Sequence, residues 1–247
     1  MPRNARCVQS GLTYHVTQRG VDRKDVFFSH GDRTTYLALA ALTAADCQIR
    51  ILAWCLMTNH VHWVIEAGEK HSLATFFRRV HGRYAQYLNA RRGRTGHLWQ
   101  NRFFSCPLGP THIWRALRYV EANPTRAGLV ENNEDYRWSS ALPHLCGPSS
   151  EAVPLLDWGF WRSVGGSETW NQQMSTIEDI RQVHEMRDCT HAGRPFGDCQ
   201  FLQQMQQSFN RQWLPIGRPK TKGLVKRQMG TERSASSTLI LNGTGSG

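Results

Sequence analysis

Apolar and polar positions along the first 145 residues switch repeatedly between period two and period 3.6, and each switch predicts an element. Residues 12–19 (LTYHVTQR) are β-branched and aromatic enough for a strand, followed by a basic loop at 20–25. Gly31-Asp32 then caps an alanine- and leucine-rich helix running to about residue 45. Residues 48–57 and 60–67 read as two strands, and the short Thr58-Asn59 break between them predicts an antiparallel hairpin. From Ser72 a second helix carries Phe76, Phe77, Val80, Tyr84, Tyr87 and Leu88 at helical spacing, a core-facing stripe, and the turn at 91–96 ends it. Residues 97–107 (HLWQNRFFSCP) predict a fourth strand and 111–123 a third helix, which Pro124 stops. The order strand, helix, strand, strand, helix, strand, helix predicts an α+β fold, a split βαβ sandwich with an antiparallel sheet and helices on one face.

Past Cys146 the character changes, with Gly147-Pro148-Ser149-Ser150 marking a boundary. Four units are therefore expected: a first domain at 1–147, a linker at 148–176 packing back on it, a helical and basic DNA-binding region at 177–229, and a disordered tail at 230–247. Within the third, short helices at 177–188 and 198–211 flank THAGRPFG, with a basic stretch at 211–227 after them. There is no internal repeat.

Charge narrows the partners. The 247 residues carry a formal charge of +11, and 25 of the 30 basic residues are arginine. Arginine's planar fork suits phosphate and stacks on bases, so nucleic acid outranks an anionic membrane. Residues 78–102 contain Arg78, Arg79, Arg83, Arg91, Arg92, Arg94 and Arg102 with no acid, a stretch that repels itself unless an anion sits on it. Seven cysteines form no CxxC pair and read as buried thiols of a reducing compartment. The N-terminus lacks the apolar core of a signal peptide and no run approaches the ~18 apolar residues of a membrane span, so a cytoplasmic protein is expected.

Two short constellations, about sixty residues apart, carry the chemistry. In an extended strand His60 and His62 point the same way with Val61 opposite. In a helix Tyr119 and Asn123 also share a face. Two imidazoles, an amide oxygen, phosphate oxygens and water make a mixed shell acceptable to Mn²⁺ and adequate for Mg²⁺, whereas zinc prefers a thiolate or third imidazole. A phenolate beside such an ion has the parts of a nucleophile for phosphate. Taken alone, the HxH pair reads more readily as two histidines on a half-exposed sheet face, and Tyr119 as a tyrosine packed on the sheet. Arg115, one helical turn before Tyr119, is placed to favour the phenolate or grip phosphate; Glu121 faces away, and His112 is the one candidate base. Trp99, Gln100 and Arg102, with Asn101 and Phe103, suit exposed bases, and Arg19, Arg23 and Lys24 suit a backbone clamp, although an ordinary edge strand and a solvated loop would look the same.

The segments YHVTQRG, LMTNHVHWVI, GHLWQNRFF, RYVEANPTRAGLV and YRWSS resemble the single-tyrosine HUH transposases, in particular the branch associated with REP elements, over roughly residues 8–145. The resemblance implies a ferredoxin-like HUH catalytic domain with a small helical C-terminal extension. It further implies His60, His62 and Asn123 as ligands of Mg²⁺ or Mn²⁺ and Tyr119 as the nucleophile. Asparagine at the third ligand position favours this branch over insertion-sequence relatives, which often have glutamine there. Such enzymes bind single-stranded DNA hairpins of palindromic repeats, cut beside a guide sequence, and leave a 5′-phosphotyrosine and a free 3′-OH. Members act as monomers or homodimers in the bacterial cytoplasm, at the nucleoid. Two other readings stand beside it: a replication initiator or relaxase of the HUH class, and a hairpin-binding regulator that has lost the reaction.

Overall fold

The computed structural model describes residues 6–69, 72–148, 155–176 and 179–213. Four strands, β1 (Thr13–Arg19), β2 (Ile49–Leu56), β3 (His60–Ala67) and β4 (Phe104–Leu108), form one sheet in the order β2-β3-β1-β4. All three pairings are antiparallel, as the hairpin reading requires. Helix α1 (His30–Asp46) links β1 to β2, and α2 (Ser72–Arg91) links β3 to β4, completing the split βαβ sandwich. After β4 come α3 (Ile113–Glu121), α4 (Asn123–Arg126), α5 (Ala141–Cys146), α6 (Trp158–Ser163), α7 (Gly166–Ser175), α8 (Ile180–Ala192) and α9 (Cys199–Phe209). The residues from 6 to 213 fall within one compact unit. Most of the basic stretch at 211–227, and the whole tail at 230–247, lie outside the described residues.

Helices cover both faces of the sheet, not one. Tyr14, Val16, Val61, Trp63 and Ile65 pack with Tyr36 and Ala40 of α1 and with Phe76, Phe77, Val80, Tyr84 and Leu88 of α2. On the opposite face Val64, Cys106 and Leu108 pack with Ala116, Leu117 and Val120 of α3 and with Met186 and Cys189 of α8. The apolar residues of α3 and α8 need a second surface, and the odd-numbered face of β1 provides it. A bulge between Ile51 and Ala53 lets β2 turn both Leu52 and Ala53 toward this second face.

Three local readings are corrected. Ser29 caps α1, not Gly31-Asp32: its hydroxyl accepts from the Asp32 amide while the Asp32 carboxylate accepts from the Ser29 amide, a reciprocal box. The fourth strand starts at Phe104, because Asn101 adopts φ 52° and Gly96 φ 95°, left-handed conformations that break pleating; of the segment before it, Trp99 alone makes a bridge, to Gly20. Pro124 does not stop the third helix. Ala122, at φ −85° and ψ 4°, breaks it, and Pro124 sits in the first turn of α4, where its missing N–H costs nothing.

Both sheet edges are closed by irregular chain. Along β2, Ser140 and Asp157 donate backbone hydrogen bonds to Trp54 and Ile51. Along β4, the Phe196 amide donates to Pro107 and the Gly109 amide to Phe196, both at 2.8 Å. Gly193, at φ 65°, caps α8 and turns the chain into that second contact.

Candidate active site

Strand register puts the functional side chains together. Opposite Arg19 on β1 lies His60 on β3, and opposite Thr17 lies His62, so all four face the side carrying α3 and α8. Buried Ala116, Leu117 and Val120 seat α3 on that face, and the seating delivers Tyr119 edge-on to His15 (ring centroids 5.3 Å apart) and to His62 (5.7 Å). The His60 and His62 rings are 5.0 Å apart at 78°. A recess of about 80 Å³ results, with His60, His62, Tyr119 and Asn123 on its walls alongside Arg19 and Gln100. No acidic residue is among the described residues that line it.

Hydrogen bonds set the outward atoms. The Asn59 amide nitrogen donates to the Arg23 carbonyl at 2.9 Å, which turns its oxygen toward Nδ1 of His60, 2.6 Å away. An amide oxygen only accepts, so Nδ1 of His60 carries the proton and Nε2 keeps the lone pair. Asn123 donates through Nδ2 to the carbonyls of Tyr119 (2.9 Å) and Val120 (3.2 Å), and its Oδ1 accepts from Arg126 at 3.2 Å. Arg126 also donates to the Tyr119 carbonyl at 3.1 Å and lies 4.8 Å over the phenol ring. Among the described residues no three of His, Cys, Asp and Glu are grouped to hold a metal ion. Cys106 lies 3.2 Å from Thr190 Oγ1, and burial pushes its thiol up to about 12.

The three histidines are neutral at pH 7. Burial, and then Arg19 and Arg187, push His60 down to about 4, while burial and then His191 push His15 down to about 3. Burial, followed by His60, His15 and the nearby arginines, holds His62 well below the ordinary imidazole value. Arg19 is lowered too, by burial and then by repulsion from Arg23 and Arg187, with the Tyr119 phenol acting the other way. A pocket with neutral nitrogen donors, crowded cations and no facing carboxylate is built for a polyanion.

A family model described as "Transposase IS200 like" matches residues 8–123, which span both histidines, Tyr119 and Asn123. Residues 8–123 are therefore similar to the IS200-like transposase family. Among solved structures, the chain is similar to a REP-associated tyrosine transposase bound to a REP hairpin, at 18% identity and TM-score 0.51, covering 63% of this chain and 90% of that one. A second match is a putative transposase from Deinococcus radiodurans R1, at 17% identity and TM-score 0.35, covering 49% of this chain and 96% of that one. No curated protein matches. The likeness to the first structure is one of fold, and it agrees with the four-stranded antiparallel sheet.

Other residues singled out in the sequence scatter. Arg115 donates to Nε2 of His112 at 2.9 Å, so these two pair with each other and do not line the recess, although Arg115 shares a separate small hollow with Tyr119. Arg78, Trp99 and Arg102 border a neighbouring hollow of about 460 Å³, where the Trp99 indole donates to the His81 carbonyl at 3.2 Å. Arg79 and Arg91 pair with Asp46 and Asp32, each at 3.5 Å, and Arg92 stacks on Phe28 at 3.8 Å. Arg83 shares α2 with Arg79 and Arg91, and Arg92 and Arg94 follow it. Arg23 and Lys24 lie in the exposed loop after β1, where Lys24 pairs with Asp22 at 3.7 Å. Glu121 is fully buried: Ser140 donates to Oε1, His144 Nδ1 lies 2.6 Å from it, and the Trp170 indole donates to Oε2 at 2.6 Å.

Residues that pattern reading missed complete the recess. His15 comes from β1 and Arg187, Thr190 and His191 from α8, while Arg126 of α4 lies over the Tyr119 ring without lining the recess. His15 was findable, since it shares the alternate face with Thr17 and Arg19; the α8 residues left no signal beyond their i, i+3, i+4 spacing. No helix among the described residues is long and apolar enough to cross a membrane.

Proposed function

We propose that the protein is a metal-dependent single-strand DNA endonuclease and strand transferase acting at hairpin elements through Tyr119. One observation carries this reading: a phenol, two neutral imidazoles, an amide oxygen and two arginines converge on one acid-free recess. Arg19 and Arg187 hold the scissile phosphate, and Tyr119 Oη attacks phosphorus from the side opposite the 3′ oxygen. The P–O3′ bond breaks, the departing oxygen takes up a proton as a free 3′-OH, and the 5′ phosphate stays on the tyrosine; a second 3′-OH reverses the step and joins strands. His60, His62 and Asn123 fit Mg²⁺ or Mn²⁺, because three neutral donors leave the ion's charge for substrate phosphate. When bound, the ion supplies Lewis-acid polarisation of a non-bridging oxygen.

Hairpin DNA as the substrate is supported by the REP hairpin held by the transposase of similar fold. From Phe104 and His191 a shallow hollow of about 290 Å³ continues past Arg6, Asn101 and Arg102, again acid-free among the described residues, which suits the single strand at a hairpin foot. Since His60, His62 and Tyr119 come from one chain, a monomer suffices for the cut.

The test mixes the protein with labelled single-stranded DNA hairpins, with Mn²⁺ or with EDTA, on a denaturing gel. A metal-dependent adduct is expected, lost in Tyr119→Phe while hairpin binding persists. Full cleavage by Tyr119→Phe would remove the nucleophile, and unchanged metal dependence in the His60→Ala, His62→Ala double variant would remove the ligands.

A further inference from the structure

Beyond β3, His62 is the first member of a buried hydrogen-bond chain that ends in α8. Its Nδ1 lies 3.0 Å from Nε2 of His15; Nδ1 of His15 lies 2.8 Å from Oγ1 of Thr190; and the Thr190 hydroxyl lies 2.8 Å from the Met186 carbonyl oxygen. The two imidazoles are 11° from coplanar, the arrangement in which a ring N–H points along the lone pair of its neighbour. His15, His62 and Thr190 are all buried, so water does not substitute for any partner.

Every proton in the chain follows from its last member. A carbonyl oxygen only accepts, so the Thr190 hydroxyl donates to Met186 and must accept from His15. Nδ1 of His15 then carries the proton and its Nε2 accepts. Nδ1 of His62 therefore carries the proton, and its Nε2 is left with the lone pair on the recess side. The opposite polarity would place a hydrogen on that Nε2 and leave two oxygens at 2.8 Å with none between them.

We infer that Thr190 and His15 are positioning residues that lock His62 in the tautomer able to bind a divalent cation, so that α8 is a working part of the metal site. The inference rests on the metal-binding reading of His60, His62 and Asn123. It also takes that site beyond residue 123, where the family match ends, into a helix which the matched segment lacks. Ring N–H groups of ligating histidines held by such outer partners commonly set metal affinity by 10–100-fold. Arg187 and His191 lie on the same face of α8 as Thr190, so the contact that orients His62 also brings the Arg187 cation to the recess.

The decisive measurement is a ¹⁵N spectrum of the imidazole nitrogens in the metal-free full chain, with His15 and His62 assigned by single substitutions. Both rings are expected as neutral Nδ1–H tautomers. Thr190→Val keeps the shape of threonine and removes the hydroxyl; it should release the fixed pattern at both rings and weaken Mn²⁺ binding, measured by calorimetry, by roughly tenfold or more. Thr190→Ser should restore both. A wild-type His62 protonated at Nε2, or a Thr190→Val protein with unchanged spectrum and unchanged Mn²⁺ affinity, would overturn the inference. A wild-type chain that shows the expected tautomers and takes up no Mn²⁺ would instead refute the metal site while leaving the hydrogen-bond chain in place.

Discussion

Glu121→Ala should unfold the protein more readily instead of removing a step of chemistry. The carboxylate is fully buried two residues after Tyr119, and it ties the end of α3 to Ser140, to His144 of α5 and to Trp170 of α7. Truncation leaves three buried donors facing a void. Each unsatisfied group costs about 1–3 kcal/mol, although the Ser140 hydroxyl can turn to the Trp54 carbonyl, 3.3 Å away. A net loss of about 3–5 kcal/mol is expected, as when one partner of a buried ion pair is removed, out of a total stability of about 5–15 kcal/mol. For a domain of this size that is roughly 10 °C in Tm. Glu121→Gln keeps one accepting oxygen and turns an NH₂ toward a donor, so it should lie between. Urea titration followed by tryptophan fluorescence reads the stability, and hairpin binding in the cold reads whether the folded fraction still recognises DNA. A Glu121→Ala protein within about 1 kcal/mol of wild type that binds but does not cut would refute the structural role and make the carboxylate part of the reaction.

Other expectations are independent of this one. His15, His60 and His81, which burial pushes down to about 3, about 4 and about 3, stay neutral when folded, whereas their unfolded counterparts protonate below about pH 6.5. The unfolded state then binds more protons, so stability falls as pH drops from about 6.5 toward 4, by roughly 1 kcal/mol per histidine between pH 7 and pH 5.5; equal urea midpoints at those two values would contradict neutral burial. Arg187→Ala should weaken hairpin binding and lower the slope of log K against log salt by about 0.7, read by fluorescence anisotropy, and an unchanged slope would take Arg187 off the phosphate. Asn59→Ala frees Nδ1 of His60 and should weaken Mn²⁺ binding by roughly tenfold, with metal-free hairpin binding unaltered.

The alternation of residues 60–67 and the stripe of α2 were legible because burial on one face writes a period into the sequence. His60 with His62, and Tyr119 with Asn123, were legible for the same reason, each pair being set by a local repeat. Residues 97–103 looked like strand because their composition is aromatic, while the left-handed Asn101 that ends pleating is one residue among them. Arg126 was hidden behind Pro124, which reads as a stop but opens α4. Thr190 and Arg187 were invisible because no local repeat links a helix at 180–192 to a strand at 13–19; tertiary packing alone does so.

Chains are made from the N-terminus, and domains fold as they emerge. β1, β3 and α3 are all synthesised before α8, so an unfinished chain already holds His62 and Tyr119 but lacks Arg187 and the Thr190 that anchors His15. The pocket is therefore completed late in translation, after both histidines and the tyrosine have left the ribosome, and a message cut short before α8 would make a protein with the tyrosine in place and an unfinished pocket around it.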